Sequence, residues 1–149
     1  MADLVTTLSE SVILNGSTRG STNSVTTTGI VDVFERIVTC THSQDTTIAV
    51  FDTHPYSSPG AIDRDNAKYI RITNLDETTE IELAVVGVAT SYIVRLRAGA
   101  SHLLFNGDDI IKGAGSTTIV FGVTDELANL EARPIGTADV QLEIFVGLV

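Results

Sequence analysis

Lysine is nearly missing from this sequence: Lys68 and Lys112 are the only two. Lysine commonly keeps exposed sheet edges from pairing with other chains. Two readings stay open: acidic side chains, turns and bulges protect the edges, or neighbours in an assembly cover them. A mean hydropathy of +0.24 and only three prolines suit the second reading. Cysteine is also scarce. Cys40 stands alone, so no intrachain disulfide can form, and a small buried residue is its ordinary role. A catalytic thiol would need a histidine; His42 is two residues on, with no third partner in view. Tryptophan is absent and aromatics make up 5%, which counts against a sugar cleft built on broad aromatic faces. Basic charge is short, giving a net charge of −10. That argues against binding nucleic acid or an anionic membrane through a basic face. No run approaches the ~18 apolar residues of a membrane span. Met1-Ala2-Asp3 lacks the basic start of a signal peptide.

What the sequence does contain is alternation. Lys68 to Leu75 sets Ile70 and Ile72 against Tyr69, Arg71 and Thr73. Glu80 to Val86 turns Ile81, Leu83 and Val85 inward, and Tyr92 to Arg97 does so with Tyr92, Val94 and Leu96. A period of two marks half-buried strands. Read as a four-stranded meander from Lys68 to Phe105, Leu75 faces Thr78 and Val86 faces Ser91. Ile72 then pairs with Ile81 and Ile70 with Leu83. The same register sets Glu82 between Arg71 and Arg95, and Glu80 beside Arg97.

Elsewhere Leu4 to Leu8, Ser11 to Leu14, Thr47 to Asp52 and Val140 to Val146 read as strands, as does Thr117 to Gly122. Leu130 and Ala132 tilt Asp125 to Arg133 towards strand rather than short helix. Ile30 to Cys40 carries a helical stripe of Ile30, Val33, Phe34, Ile37 and Val38, with Thr28 as a possible cap. Its β-branched density favours a strand, bulged near Glu35. Asn15-Gly16 is a turn signal rather than a glycosylation site, and Ser17 to Ser24 reads as an exposed polar loop. Thr53 to Asn66 holds two prolines and Gly60 and suits a crossing between sheets. The expectation is one all-β domain over residues 1–149. It is an antiparallel β-sandwich, jelly-roll-like, of about eight to ten short strands.

Motifs for chemistry are missing. Gly113-Ala114-Gly115-Ser116 lacks the lysine and spacing of a phosphate loop. Asp63-Arg64-Asp65-Asn66 lacks the glycine and terminal glutamate of a calcium loop, which leaves a solvated turn. Asp108-Asp109 is an exposed turn before it is a catalytic pair, since a working pair needs a cleft that raises one pKa. His42, His54 and His102 have no metal-ligand spacing. No catalytic residue, metal ligand or cofactor is assigned, and the protein is not expected to be an enzyme.

Two stretches carry a resemblance. One is Asn15-Gly16 with Arg19-Gly20-Ser21-Thr22, leading into Val33-Phe34-Glu35-Arg36-Ile37-Val38-Thr39. The other is Tyr69-Ile70-Arg71-Ile72-Thr73-Asn74-Leu75-Asp76, followed by Leu96-Arg97-Ala98-Gly99-Ala100-Ser101-His102 and a final strand at Asp139-Val140. Together they resemble small virion structural proteins of tailed bacteriophages, over most of the chain and through turn-and-strand motifs. The resemblance implies a head decoration (cement) protein with a β-sandwich fold, or else a tail component. Its partners would be the major capsid protein and copies of itself in a homotrimer, with no nucleic acid and no membrane. Its place would be the virion, after synthesis in the host cytoplasm. A receptor- or glycan-binding module of a tail fibre or spike is the alternative. The polar segment Ser17, Thr18, Arg19, Ser21, Thr22 and Asn23 is the candidate contact with partners, unless it is merely solvated.

Overall fold

The apolar alternation of the sequence becomes strands throughout the computed structural model. It describes residues 1–57, 59–105, 110–111 and 124–149, with backbone only at 57, 110–111 and 124. The N-terminal part holds β1 (Ala2–Ser9), β2 (Val12–Leu14), β3 (Ser17–Arg19) and β4 (Thr22–Ile30). Then come β5 (Asp32–Cys40), β6 (Thr46–Asp52), β7 (Ile62–Asp63), β8 (Ala67–Asn74), β9 (Ile81–Gly87), β10 (Ser91–Leu96) and β11 (Ser101–Leu104). Two short segments, β12 (Ile110–Ile111) and β13 (Thr124–Asp125), pair with each other before β14 (Leu127–Pro134) and β15 (Val140–Leu148). The one helical element among the described residues is a 3-10 turn at Pro55–Ser57. The proposed strand Thr117 to Gly122, Asp108-Asp109, Lys112 and Gly113 to Ser116 lie outside the described residues.

Two sheets form the body, of five strands in the order β10-β9-β14-β6-β7 and four in the order β11-β8-β15-β5. The pairs nest: β5 with β15, β6 with β14, β8 with β11, β9 with β10. First pairs with last and the middle strands pair as neighbours, which is the connectivity of a jelly roll. Inward residues of both sheets make one core. Ile70, Ile72, Leu142, Ile144 and Val146 come from the four-stranded sheet, and Ile81, Leu83, Val85, Leu127 and Leu130 from the five-stranded one.

The meander does not form as a single sheet. The hairpin β9–β10 has the expected register, with Val86 opposite Ser91 and Glu82 opposite Arg95. But β8 lies in the other sheet, with Ile72 opposite Ile144 and His102, and Ile70 opposite Val146 and Leu104. Residues 75–80 therefore cross between sheets instead of turning a hairpin. Buried Asn74 holds that corner: its Nδ2 donates to the carbonyls of Thr79 (2.9 Å) and Arg97 (3.2 Å), both on the far side. Arg71 meets Glu143 at 2.7 Å rather than Glu82. Glu82 does sit between two arginines, but the second is Arg133 on β14. Glu80 approaches Arg95 at 3.7 Å, where Arg97 was expected.

Asp32–Cys40 is a strand that pairs residue for residue with Val140–Leu148, so there is no bulge at Glu35. The irregularity lies in β6, where Ala49 faces Leu130 and Thr47 faces Glu131. Ile48 is left without an opposite number, and both Ile48 and Ala49 turn into the core. Thr53 to Asn66 connects the five-stranded sheet to the four-stranded one, as expected of a crossing.

Candidate interaction surface

Residues 2–30 are not strand, loop and strand but one long two-stranded ribbon. At its tip Asn15 (φ 50°) and Gly16 (φ 78°) both take positive φ, the type I′ geometry that matches strand twist in a two-residue hairpin. The register runs unchanged from Leu14 opposite Ser17 to Leu4 opposite Thr27. Midway, Glu10 N donates to Ser21 O at 2.9 Å. Gly20 (φ 128°) stands beside this bond, and a Cβ there would fall on the Glu10 carbonyl. The polar segment is thus mostly strand because its backbone groups pair with Thr7 to Leu14 alongside it. Only its exposure agrees with the loop expected.

Alternation along this register gives the ribbon two different faces. Thr7 and Ser24 share a hydroxyl bond of 2.9 Å on one face, and Ser9 and Thr22 one of 3.0 Å. The opposite face carries Leu4, Leu8, Val12 and Leu14 on one strand, interrupted by Thr6 and Glu10, and Val25 on the other. Leu8, Val12, Leu14 and Val25 are 51%, 55%, 52% and 53% exposed. Val5 and Ile13 break the pattern as exposed apolar residues on the polar face. Of the six candidate contact residues, Ser17, Arg19, Ser21 and Asn23 fall on the apolar face, where Asn23 Nδ2 donates to Ser21 Oγ at 3.1 Å. Thr18 and Thr22 fall on the other. The apolar stripe itself went unread in the sequence. The run Val12-Ile13-Leu14 hides the alternation, and three polar residues separate Leu8 from Val12.

The groups with chemical potential are spoken for elsewhere. Cys40 is buried, which pushes its thiol pKa up, with a smaller opposing effect from a Thr46 hydrogen bond. His42 turns instead to Asp139, ring Nδ1 to Oδ1 at 2.7 Å and backbone N to the same oxygen at 2.9 Å. Those bonds, the backbone one first, hold the exposed Asp139 carboxyl below its ordinary pKa. His54 Nδ1 lies 2.9 Å from Thr53 Oγ1. His102 Nε2 lies 3.2 Å from Tyr92 OH, and burial lowers the His102 pKa. The three histidines have separate partners, and no metal-type cluster of three or more occurs among the described residues.

In the Asp63 to Asn66 turn, Asp63 accepts from Asp65 N at 3.1 Å and Asn66 Nδ2 at 2.8 Å, so local donors occupy its carboxylate. Arg64 is buried and reaches Glu126 at 2.6 Å. An open groove of about 280 Å³ on the five-stranded sheet is lined by Asp45, Glu82, Ala84, Ile93, Glu131 and Arg133, among others. Arg133 lies 3.4 Å from Asp45, and Arg95 3.8 Å from Glu82. The groove is open, and its charged side chains pair across neighbouring elements. Comparison with family models, with curated proteins and with solved structures finds no match to this chain.

Proposed function

We propose that this protein is a structural component of a phage particle, a decoration protein that binds the assembled head. In this reading it acts with the major capsid protein and with copies of itself, as a homotrimer in the virion. One observation carries it: an exposed two-stranded ribbon on a jelly-roll body carries Leu8, Val12, Leu14 and Val25 half-exposed on one face. A free two-stranded ribbon is marginal in water, and an apolar strip of this kind marks an interaction surface. The resemblance of Tyr69 to Asp76 and of Asn15 to Thr39 to virion proteins supplies the class of partner. Jelly rolls recur in capsid and lectin domains, and this link is an analogy of fold. The mechanism is mass action: a protein that binds only the assembled shell stabilises it in proportion to its occupancy. Many copies on one lattice multiply weak contacts.

The test is location. Antibody against the purified chain, applied to intact particles from the genome that encodes it, should label the head surface with many copies. Absence from the particle refutes the reading, and label confined to the tail replaces it with the fibre or spike module.

A further inference from the structure

We propose that the N-terminal ribbon is an assembly arm. Its apolar face lies on the outer face of the four-stranded sheet, beside the β5 edge, of a second copy of this chain. The inference rests on the self-association in the reading above and not on the identity of any particle.

The contact already exists in miniature within one chain. At the base of the ribbon, Leu4 and Ile30 close over Gly147 of β15; a Cβ there would meet them at 3.4 and 3.3 Å. A small pocket of about 130 Å³ remains at this corner, lined by Ala2, Leu4, Ile30, Val33 and Phe145, with Asp3 and Gly147. The ribbon face that seats Leu4 on the sheet is the one that carries Leu8, Val12, Leu14 and Val25 further out. Nothing in its own chain covers them among the described residues.

The receiving surface is likewise mixed, with Glu35 exposed between two outward apolar residues of β5. Val33 and Ile37 stand outward on β5, opposite Gly147 and Glu143, and are 46% and 58% exposed. β5 ends its sheet, and Asp32–Cys40 contains neither proline nor lysine to discourage pairing. Charge also favours a second copy through this element. The chain carries −10, yet residues 2–30 contain only Asp3, Glu10 and Arg19. Two bodies repel, whereas a nearly neutral arm brings apolar surface across without adding to that repulsion. The free part of that ribbon face, from Leu8 to Leu14, is ~20 Å long and ~10 Å wide. Each copy gives an arm and receives one, covering on the order of 400 Å² per copy, the size of a weak contact that a multi-subunit assembly repeats. Heterologous exchange of this sort builds a ring, a trimer included, where its rotation closes, and an open filament where it does not.

Cys40 is the sole cysteine and is fully buried, so an introduced cysteine is the one accessible thiol. Two full-length variants, Val25→Cys and Ile37→Cys, are mixed and mildly oxidised. The expected product of an equimolar mixture is a mixed disulfide between the two chains, well above the twofold excess over each homodisulfide that random pairing gives; a merely statistical mixture overturns the proposal. Predominant Val25→Cys homodisulfide would mean that arms pair with arms, and absence of interchain product would mean no such contact; either overturns the proposal. In parallel, sedimentation of the native chain should show concentration-dependent self-association that Leu14→Asp and Ile37→Asp each weaken at least tenfold, with an unchanged urea midpoint for the body. Absence of self-association, or association unaffected by both variants, also overturns it. The assay contains no particle, so its outcome is separate from that of the localisation experiment.

Discussion

Replacing Asn74 with alanine removes the tie between the two sheets at their crossing. Asn74 ends β8 and is fully buried. Its Nδ2 has two hydrogens and three acceptors: Thr79 O at 2.9 Å, Arg97 O at 3.2 Å and Leu96 O at 3.4 Å. Its Oδ1 accepts from Asp76 N at 3.0 Å, which starts the loop that carries the chain across. About three hydrogen bonds are therefore at stake, each worth ~1 kcal/mol net. The Arg97 carbonyl keeps a second donor, Ala100 N at 3.0 Å, and softens the loss. The expected cost is about 2–3 kcal/mol out of a total of roughly 5–15 kcal/mol. In urea, with a slope of ~1–3 kcal/mol per molar, the midpoint should fall by about 1–2 M while the slope stays constant. Asn74→Asp should be worse near neutral pH, because it aims a carboxylate at carbonyl oxygens in a buried site. A loss below ~0.5 kcal/mol for the alanine variant would refute the corner as a source of stability, at under half of one ordinary hydrogen bond.

Glu82→Lys would place a third positive charge between Arg95 and Arg133, its neighbours on the flanking strands. Since these side chains are largely exposed, the cost should be ~1 kcal/mol. It should shrink in 1 M salt, where the Debye length is ~3 Å; a salt-independent cost would argue against a charge effect. His102 provides a pH signature. Burial lowers its folded-state pKa, so below about pH 6.5 the unfolded chain takes up a proton that the folded chain resists. The stability of the native protein should thus decline as pH falls from about 6.5 towards the lower folded value. His102→Gln removes that component, so its urea midpoint should gain on the native one between about pH 8 and pH 5. A constant difference between the two proteins would contradict this.

The sequence by itself determined which residues face the core and where chain-local pairing occurs. Ile81, Leu83 and Val85 are buried as their alternation demands, and Val86 meets Ser91 across the hairpin that joins β9 to β10. That register is legible because a short connection leaves few ways to pair. Asp32–Cys40 was legible as strand from its β-branched residues, although a helical stripe competes there. The partner of β8 was not legible. A period of two states that Ile70 and Ile72 point inward, yet serves equally for pairing with β9 or with β15. Only the packing of two whole sheets chooses the latter, bringing Ile72 against Ile144 from the far end of the chain. Arg71 then follows its strand to Glu143, and Glu82 finds Arg133 in its place. The ribbon shows the same division. Asn15-Gly16 announced its turn, because that dipeptide accepts positive φ locally. That Ser17 to Ser24 is strand follows from Leu4 to Leu14 lying alongside it, and that Leu8, Val12, Leu14 and Val25 form one apolar face follows from the register between them. Tertiary structure decided these because hydrogen-bond partners and shared faces belong to pairs of segments, and a single segment specifies neither.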